Sequence, residues 1–139
     1  MMKVCGFTLI EMLIVLVIMA IITSFAWPAY HQQVLKTRRS TGVGALVELA
    51  ARLEHYYIDH STYTGASLGT QAGSIFPVMT RNGYYRLSIA NQNDLTFLIS
   101  ATPTARGKQD SDKCGAFTLD SLGNRGLQGN TIAFQLCWN

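Results

Sequence analysis

From Phe7 to Trp27 the chain is apolar apart from Thr8, Glu11, Thr23 and Ser24, and Glu11 carries the only charge. A helix of roughly 20 apolar residues crosses a bilayer, so this stretch is long enough to do so. An ionised acid near a bilayer centre costs about 3 kcal/mol on insertion scales, which makes Glu11 a functional candidate. Pro28 follows at once. It removes a backbone donor and crowds the preceding turn, so it predicts a kink and not a stop. Beyond it Tyr30, Val34, Leu46, Leu49, Ala50, Leu53 and Tyr57 recur at near-helical spacing. Gln32, Gln33, Lys36, Arg38, Arg39, Glu48, Arg52 and Glu54 supply the polar complement. The pattern predicts one kinked helix from about Phe7 to Tyr57, apolar all round at first and amphipathic later. Glu48 and Arg52 have i,i+4 spacing for an ion pair, while Gly42 and Gly44 read as weak points.

Residues 60–83 turn to Ser, Thr, Gly and other small residues and predict a long connection. Alternation then returns. Tyr84–Ile89 places Tyr85, Leu87 and Ile89 on one face, Asn91–Asp94 is a turn, and Leu95–Ala101 completes a hairpin that Pro103 ends. Ala116–Asp120 is a third strand, Ser121–Asn124 turns it, and Thr131–Trp138 is the expected fourth. The fold class is therefore α+β, with a long kinked N-terminal helix packed on a small antiparallel sheet of about four strands.

At 139 residues, with a net charge of +3, the chain offers one small soluble core, marginal without a staple. The basic residues are scattered apart from Arg38-Arg39, so a solvated surface is the plainer reading, and a nucleic-acid surface, though open to the chain, is not argued by charge alone. Cys5 precedes the apolar run, and Cys114 and Cys137 lie near the end. If Cys5 is removed by processing, an even pair remains. In a small exported domain such a pair suggests one disulfide, Cys114–Cys137.

A secretory signal places its cleavage site after the apolar run. Here nothing like Ala-x-Ala follows it, and the small-residue junction lies ahead of it at Cys5-Gly6. Lys3 would hold that end in the cytoplasm. The string Gly6-Phe7-Thr8-Leu9-Ile10-Glu11 resembles the class III signal of type IV pilins and type II secretion pseudopilins. The segments Arg39-Ser40, Ala45-Leu46, Leu53-Glu54, Tyr57, Tyr63-Thr64-Gly65, Cys114-Gly115, Leu119-Asp120, Gly123 and Cys137-Trp138 are similar to PilE-type minor pilins.

The resemblance implies three parts: a leader over 1–6, a transmembrane and filament-core half-helix over 7–28, and a surface domain over 29–139. It implies cleavage between Gly6 and Phe7 and N-methylation of Phe7 by a prepilin peptidase/N-methyltransferase. It makes Glu11 the residue needed for assembly. The implied partners are other pilin subunits, the pilus assembly platform and the inner membrane. The chain would be held there single-pass, with its N-terminus cytoplasmic, before entering an extracellular filament. Adhesion, twitching motility and DNA uptake are the family's pilus roles. In the family the cysteine bracket defines a C-terminal surface used in contacts.

The physical reading of Glu11 agrees. Cleavage creates a positive amine at Phe7, and a neighbouring subunit's Glu11 can neutralise it. An unpaired buried charge is penalised strongly, so the pair favours one stagger of subunits.

The other chemistry-bearing residues have plainer readings. His31, His55 and His60 lack metal spacing, with His31 and His55 on the helix polar face and His60 just beyond. Asp110, Asp112 and Asp120 lack a full calcium loop and read as solvated turn acids. Tyr56, Tyr57, Tyr63, Tyr84 and Tyr85 read as core and rim packing. Arg38 and Arg39 could touch DNA in an uptake pilus, but a helix polar face is the preferred reading of the pair. No nucleophile–base set appears, no cofactor or metal is expected, and the chain reads as an enzyme's substrate, not an enzyme. The rivals are a type II secretion pseudopilin and a single-pass membrane protein with a periplasmic binding domain. The second leaves Gly6-Phe7 and Glu11 without a role.

Overall fold

A computed structural model describes residues 7–138. The chain divides into two compact units, with the boundary between Val34 and Leu35. One helix, α1 (Leu9–His60), contributes to both. Four strands follow it: β1 (Tyr85–Gln92), β2 (Phe97–Pro103), β3 (Ala116–Asp120) and β4 (Arg125–Gln128). They pair antiparallel in the order β1-β2-β3-β4. The expected α+β architecture is the one observed.

In the first unit the helix begins where Thr8 caps it. The Glu11 amide donates to Thr8 Oγ1 at 3.3 Å, and the Met12 amide to the Thr8 carbonyl at 3.2 Å. Thr-x-x-Glu is a capping-box sequence, so Glu11 is also a first-turn acid where the helix dipole favours negative charge. Pro28 lies inside the helix and has no N–H to give the Ser24 carbonyl. Thr23 and Ser24 turn their hydroxyls back on the Met19 and Ile21 carbonyls, each at 2.7 Å. Neither hydroxyl is left unsatisfied among the apolar side chains.

In the second unit α1 buries Leu35, Gly42, Leu46, Leu49 and Leu53, a single stripe at helical spacing. Leu46, Leu49 and Leu53 join Tyr85, Leu87, Phe97, Ile99, Ala101, Phe117 and Leu119 in one core. Gly42 is no weak point, because a Cβ there would lie 2.8 Å from the Tyr85 ring. Its bareness lets the helix sit closely on β1. Gly44 differs, with nothing within 4 Å of its Cβ position. Among the described residues the ion pairs are Arg39–Asp112 and His55–Asp59. The expected Glu48–Arg52 pair is not formed. Both side chains are exposed, where ordering two long chains gains little.

The β1–β2 hairpin has the expected inward face at Tyr85 and Leu87, with Ile89 half-buried. Asn93 closes its turn by accepting the Leu95 and Thr96 amides at 2.9 and 2.8 Å. The fourth strand is a correction: it is Arg125–Gln128, and Thr131–Trp138 is not a strand. Asp120 accepts the Leu122 and Asn124 amides and the Asn124 side chain, which folds the chain back at once after β3. Gly126 then sits opposite Thr118, whose Oγ1 fills the space a Cβ would need. The later segment contains a 3₁₀ turn at Phe134–Leu136. Its alternating apolar residues reflect Trp138 packing edge-on against Phe117, not a sheet.

Candidate functional site

Two groups of residues carry chemistry, one in each unit. The first is the N-terminal apolar segment. Phe7 is 79% exposed, and the large apolar residues from Leu9 to Trp27 are at least half exposed within the chain. By length and composition α1 can cross a membrane, and none of its apolar window is buried against the protein. A surface of this kind needs an apolar environment from lipid or other helices. Glu11 is exposed within it, and among the described residues its carboxylate is in no ion pair. Gly6 lies outside the described residues.

The second group is built around a buried carboxylate. Arg39, on α1, donates from Nε to Asp112 Oδ2 at 2.7 Å and from Nη2 to Asp112 Oδ1 at 2.6 Å. The two-point fork is the geometry that makes Arg–carboxylate pairs strong. Asp112 has a fully buried side chain and also accepts the Gln109 side chain at 3.0 Å and the Cys114 amide at 3.2 Å. Gln109, itself buried, donates in turn to the Tyr85 hydroxyl at 3.0 Å. Burial, with the Asp112 charge adding to it, pushes the Tyr85 hydroxyl up to about 12. This network joins the helix, β1 and the β2–β3 connection.

Arg38, next along the helix, points to the same connection. Its Nη1 donates to the Gly107 carbonyl at 2.7 Å, and its guanidinium lies 4.2 Å from the centre of the Tyr84 ring. Neither arginine of the pair is therefore a simple solvated charge. Asp112 corrects the expectation of solvated turn acids, since it is buried and paired. Asp120 is half-buried and closes the β3–β4 turn, and the Asn124 side chain is the main influence holding its carboxyl below the usual range. Asp110 is exposed. Among the described residues no three His, Cys, Asp or Glu groups gather as a metal site would require.

Cys114 and Cys137 form a disulfide, with Cα atoms 5.7 Å apart. It ties the end of the chain to the start of β3, beside the Asp112 network. Trp138 donates its indole N–H to the Gly126 carbonyl at 3.1 Å and receives Arg125 over its ring. His60 is the last residue of the helix, not beyond it, and stacks on Tyr56 at 4.0 Å. Tyr57, Tyr63 and Phe97 form an aromatic run in the core and its margin. Sequence reasoning missed Gln109 and the capping role of Thr8. The Thr-x-x-Glu spacing could have revealed the second, whereas nothing in sequence marks Gln109 as buried.

Residues 28–118 match the family described as type IV minor pilin ComP, DNA uptake sequence receptor. Residues 1–27 match the prokaryotic N-terminal methylation motif. The chain belongs to this type IV minor pilin family. Type II secretion system core protein G of Klebsiella michiganensis is 37% identical over 67 residues, covering 48% of this chain and 47% of that protein. The match thus spans about half the length of that curated relative. The non-core minor pilin PilV of Neisseria meningitidis shares the fold, with a TM-score of 0.56 at 19% identity over 73% of this chain and 93% of that one. A type IV pilin from Shewanella oneidensis gives a TM-score of 0.49 at 26% identity, over 76% and 98% of the two chains.

Proposed function

We propose that the chain is a minor subunit of a type IV pilus, cut between Gly6 and Phe7, methylated at Phe7 and built into the filament through Glu11. The observation that carries this is the pairing of a minor pilin family match over residues 28–118 with an N-terminal methylation motif over residues 1–27. The apolar segment is held by the inner membrane first, with its N-terminus cytoplasmic, and by neighbouring helices afterwards. A prepilin peptidase/N-methyltransferase removes the leader and creates the Phe7 amine. The assembly platform then brings that amine to Glu11 of a neighbour, where each cancels the other's buried charge. Pro28 kinks the helix beyond the segment that other subunits grip. The chain is a processing enzyme's substrate and not itself an enzyme.

The family's description also names a DNA uptake sequence receptor, and we extend that role to this chain: its surface contacts DNA in an uptake pilus. A specific observation favours a second reading, a type II secretion pseudopilin, namely the 37% identity to core protein G. Shearing cells that express Glu11→Ala separates assembly from insertion. The variant should remain in the membrane fraction and be missing from sheared filaments, while the parent protein is found in both. Normal incorporation of the variant overturns the assembly role of Glu11. Absence of the parent chain from sheared pili favours the pseudopilin.

A further inference from the structure

The β2–β3 connection bears Arg106, Lys108 and Lys113 as exposed cations, with Asp110 and Asp112 as its acids. Arg39 cancels Asp112 from the helix side. That leaves three cations and one uncancelled acid, Asp110, on the connection. Gly107 and Lys108 both adopt left-handed backbone, with φ of 62° and 59°. For Lys108, which has a Cβ, that conformation is unfavourable, and it persists only where the surroundings determine it.

The surroundings do so from three sides. At the start of the loop, Thr104 donates its hydroxyl to the Gly83 carbonyl at 2.7 Å and its amide to the Tyr84 carbonyl at 2.9 Å. At the end, Asp112 is held by Arg39. At the apex, the Gly107 carbonyl accepts Arg38 Nη1 at 2.7 Å, and Arg38 is itself seated on Tyr84. The Lys108 amide donates to Ala105 and the Asp110 amide to Thr104, both at 3.0 Å.

From this geometry we propose that Arg38 is a positioning residue, a strut that holds the Arg106–Lys108 apex preformed for the phosphates of a DNA backbone. The proposal rests on the DNA reading above. A preformed cation loop binds more tightly than a mobile one because its ordering is not charged to the binding step. Arg38 does not itself face the phosphates, since its guanidinium is engaged by Gly107 and Tyr84. Two substitutions remove the strut independently. Arg38→Gln deletes it. Gly107→Ala displaces it, because a Cβ there would meet Arg38 Nη1 at 2.5 Å and the φ is unsuited to a side chain.

The test uses the full chain in detergent with a fluorescent double-stranded oligonucleotide, and Kd is measured across a salt series. Arg106→Ala and Lys108→Ala should weaken binding and flatten the dependence of log Kd on log salt, by about 0.9 for each phosphate no longer neutralised. Arg38→Gln and Gly107→Ala should weaken binding by about 3- to 10-fold, the cost of ordering one or two side chains on binding, with the salt slope of the parent protein. A slope that falls in Arg38→Gln as it does in Lys108→Ala makes Arg38 a phosphate ligand and overturns the positioning role. Parent-like Kd values in both strut variants, beside weakened Lys108→Ala, overturn it too. Hydrogen exchange reads the strut without DNA: the Lys108 and Asp110 amides should exchange faster in Arg38→Gln, and unchanged rates overturn the strut. A parent protein that binds no DNA overturns the DNA reading instead.

Discussion

Arg39 and Asp112 stand 73 residues apart in sequence and meet through two hydrogen bonds of 2.7 and 2.6 Å. Removing one partner leaves the other's charge buried and uncompensated, at a cost of about 3–5 kcal/mol. Arg39→Met and Asp112→Leu should each destabilise the chain by that amount in urea unfolding. The double variant should recover most of the loss, because an apolar pair replaces a buried ion pair with little penalty. Equal losses in the single and double variants would contradict the pairing.

Two glycines on one helix should respond in opposite directions. Gly42→Ala drives a methyl into the Tyr85 ring and should cost about 1–3 kcal/mol, as overpacking does. Gly44→Ala meets nothing within 4 Å and should stabilise by about 0.5–1 kcal/mol through helix propensity. Thermal unfolding of the two variants side by side checks this.

The Cys114–Cys137 disulfide closes a loop with a sequence separation of 23. In the chain-entropy model that bridge contributes ~3–4 kcal/mol. Scanning calorimetry with and without reductant should show a lower midpoint in the reduced chain. The Cys114→Ala/Cys137→Ala variant should match the reduced form and be insensitive to reductant.

Alkaline pH should weaken the fold. Tyr85 loses its proton near 10 when unfolded and at about 12 when folded. The unfolded chain therefore binds fewer protons between those values. The stabilising contribution is complete below pH 10 and is lost as pH rises to about 12. Urea midpoints measured across that range should fall, and they should fall less in Tyr85→Phe.

Much of this molecule is legible in its sequence because the responsible signals are local. The apolar run to Trp27, the alternation of Tyr85, Leu87 and Ile89, and Ala116–Asp120 each need only neighbouring residues to be read. β4 escaped because Arg-Gly-Leu-Gln has little intrinsic strand preference and is placed by the Asp120 turn and by β3. Thr131–Trp138 misled in the opposite sense, since its apolar alternation serves Trp138 and the disulfide. Asp112 looked like a surface acid because its partner is remote in sequence. Gly42 looked like a defect because Tyr85, the ring that needs its space, lies on another element. The long-range contacts decide these positions, and no window along the chain contains them.

The central claim is that Gly6-Phe7 is the processing site of a filament subunit. Mass spectrometry of the N-terminal peptide, taken from the chain in sheared filaments, tests it most directly. The account predicts a chain that begins at N-methylated Phe7. A filament-borne chain that still carries residues 1–6, or one that begins at Phe7 without the methyl group, would contradict it.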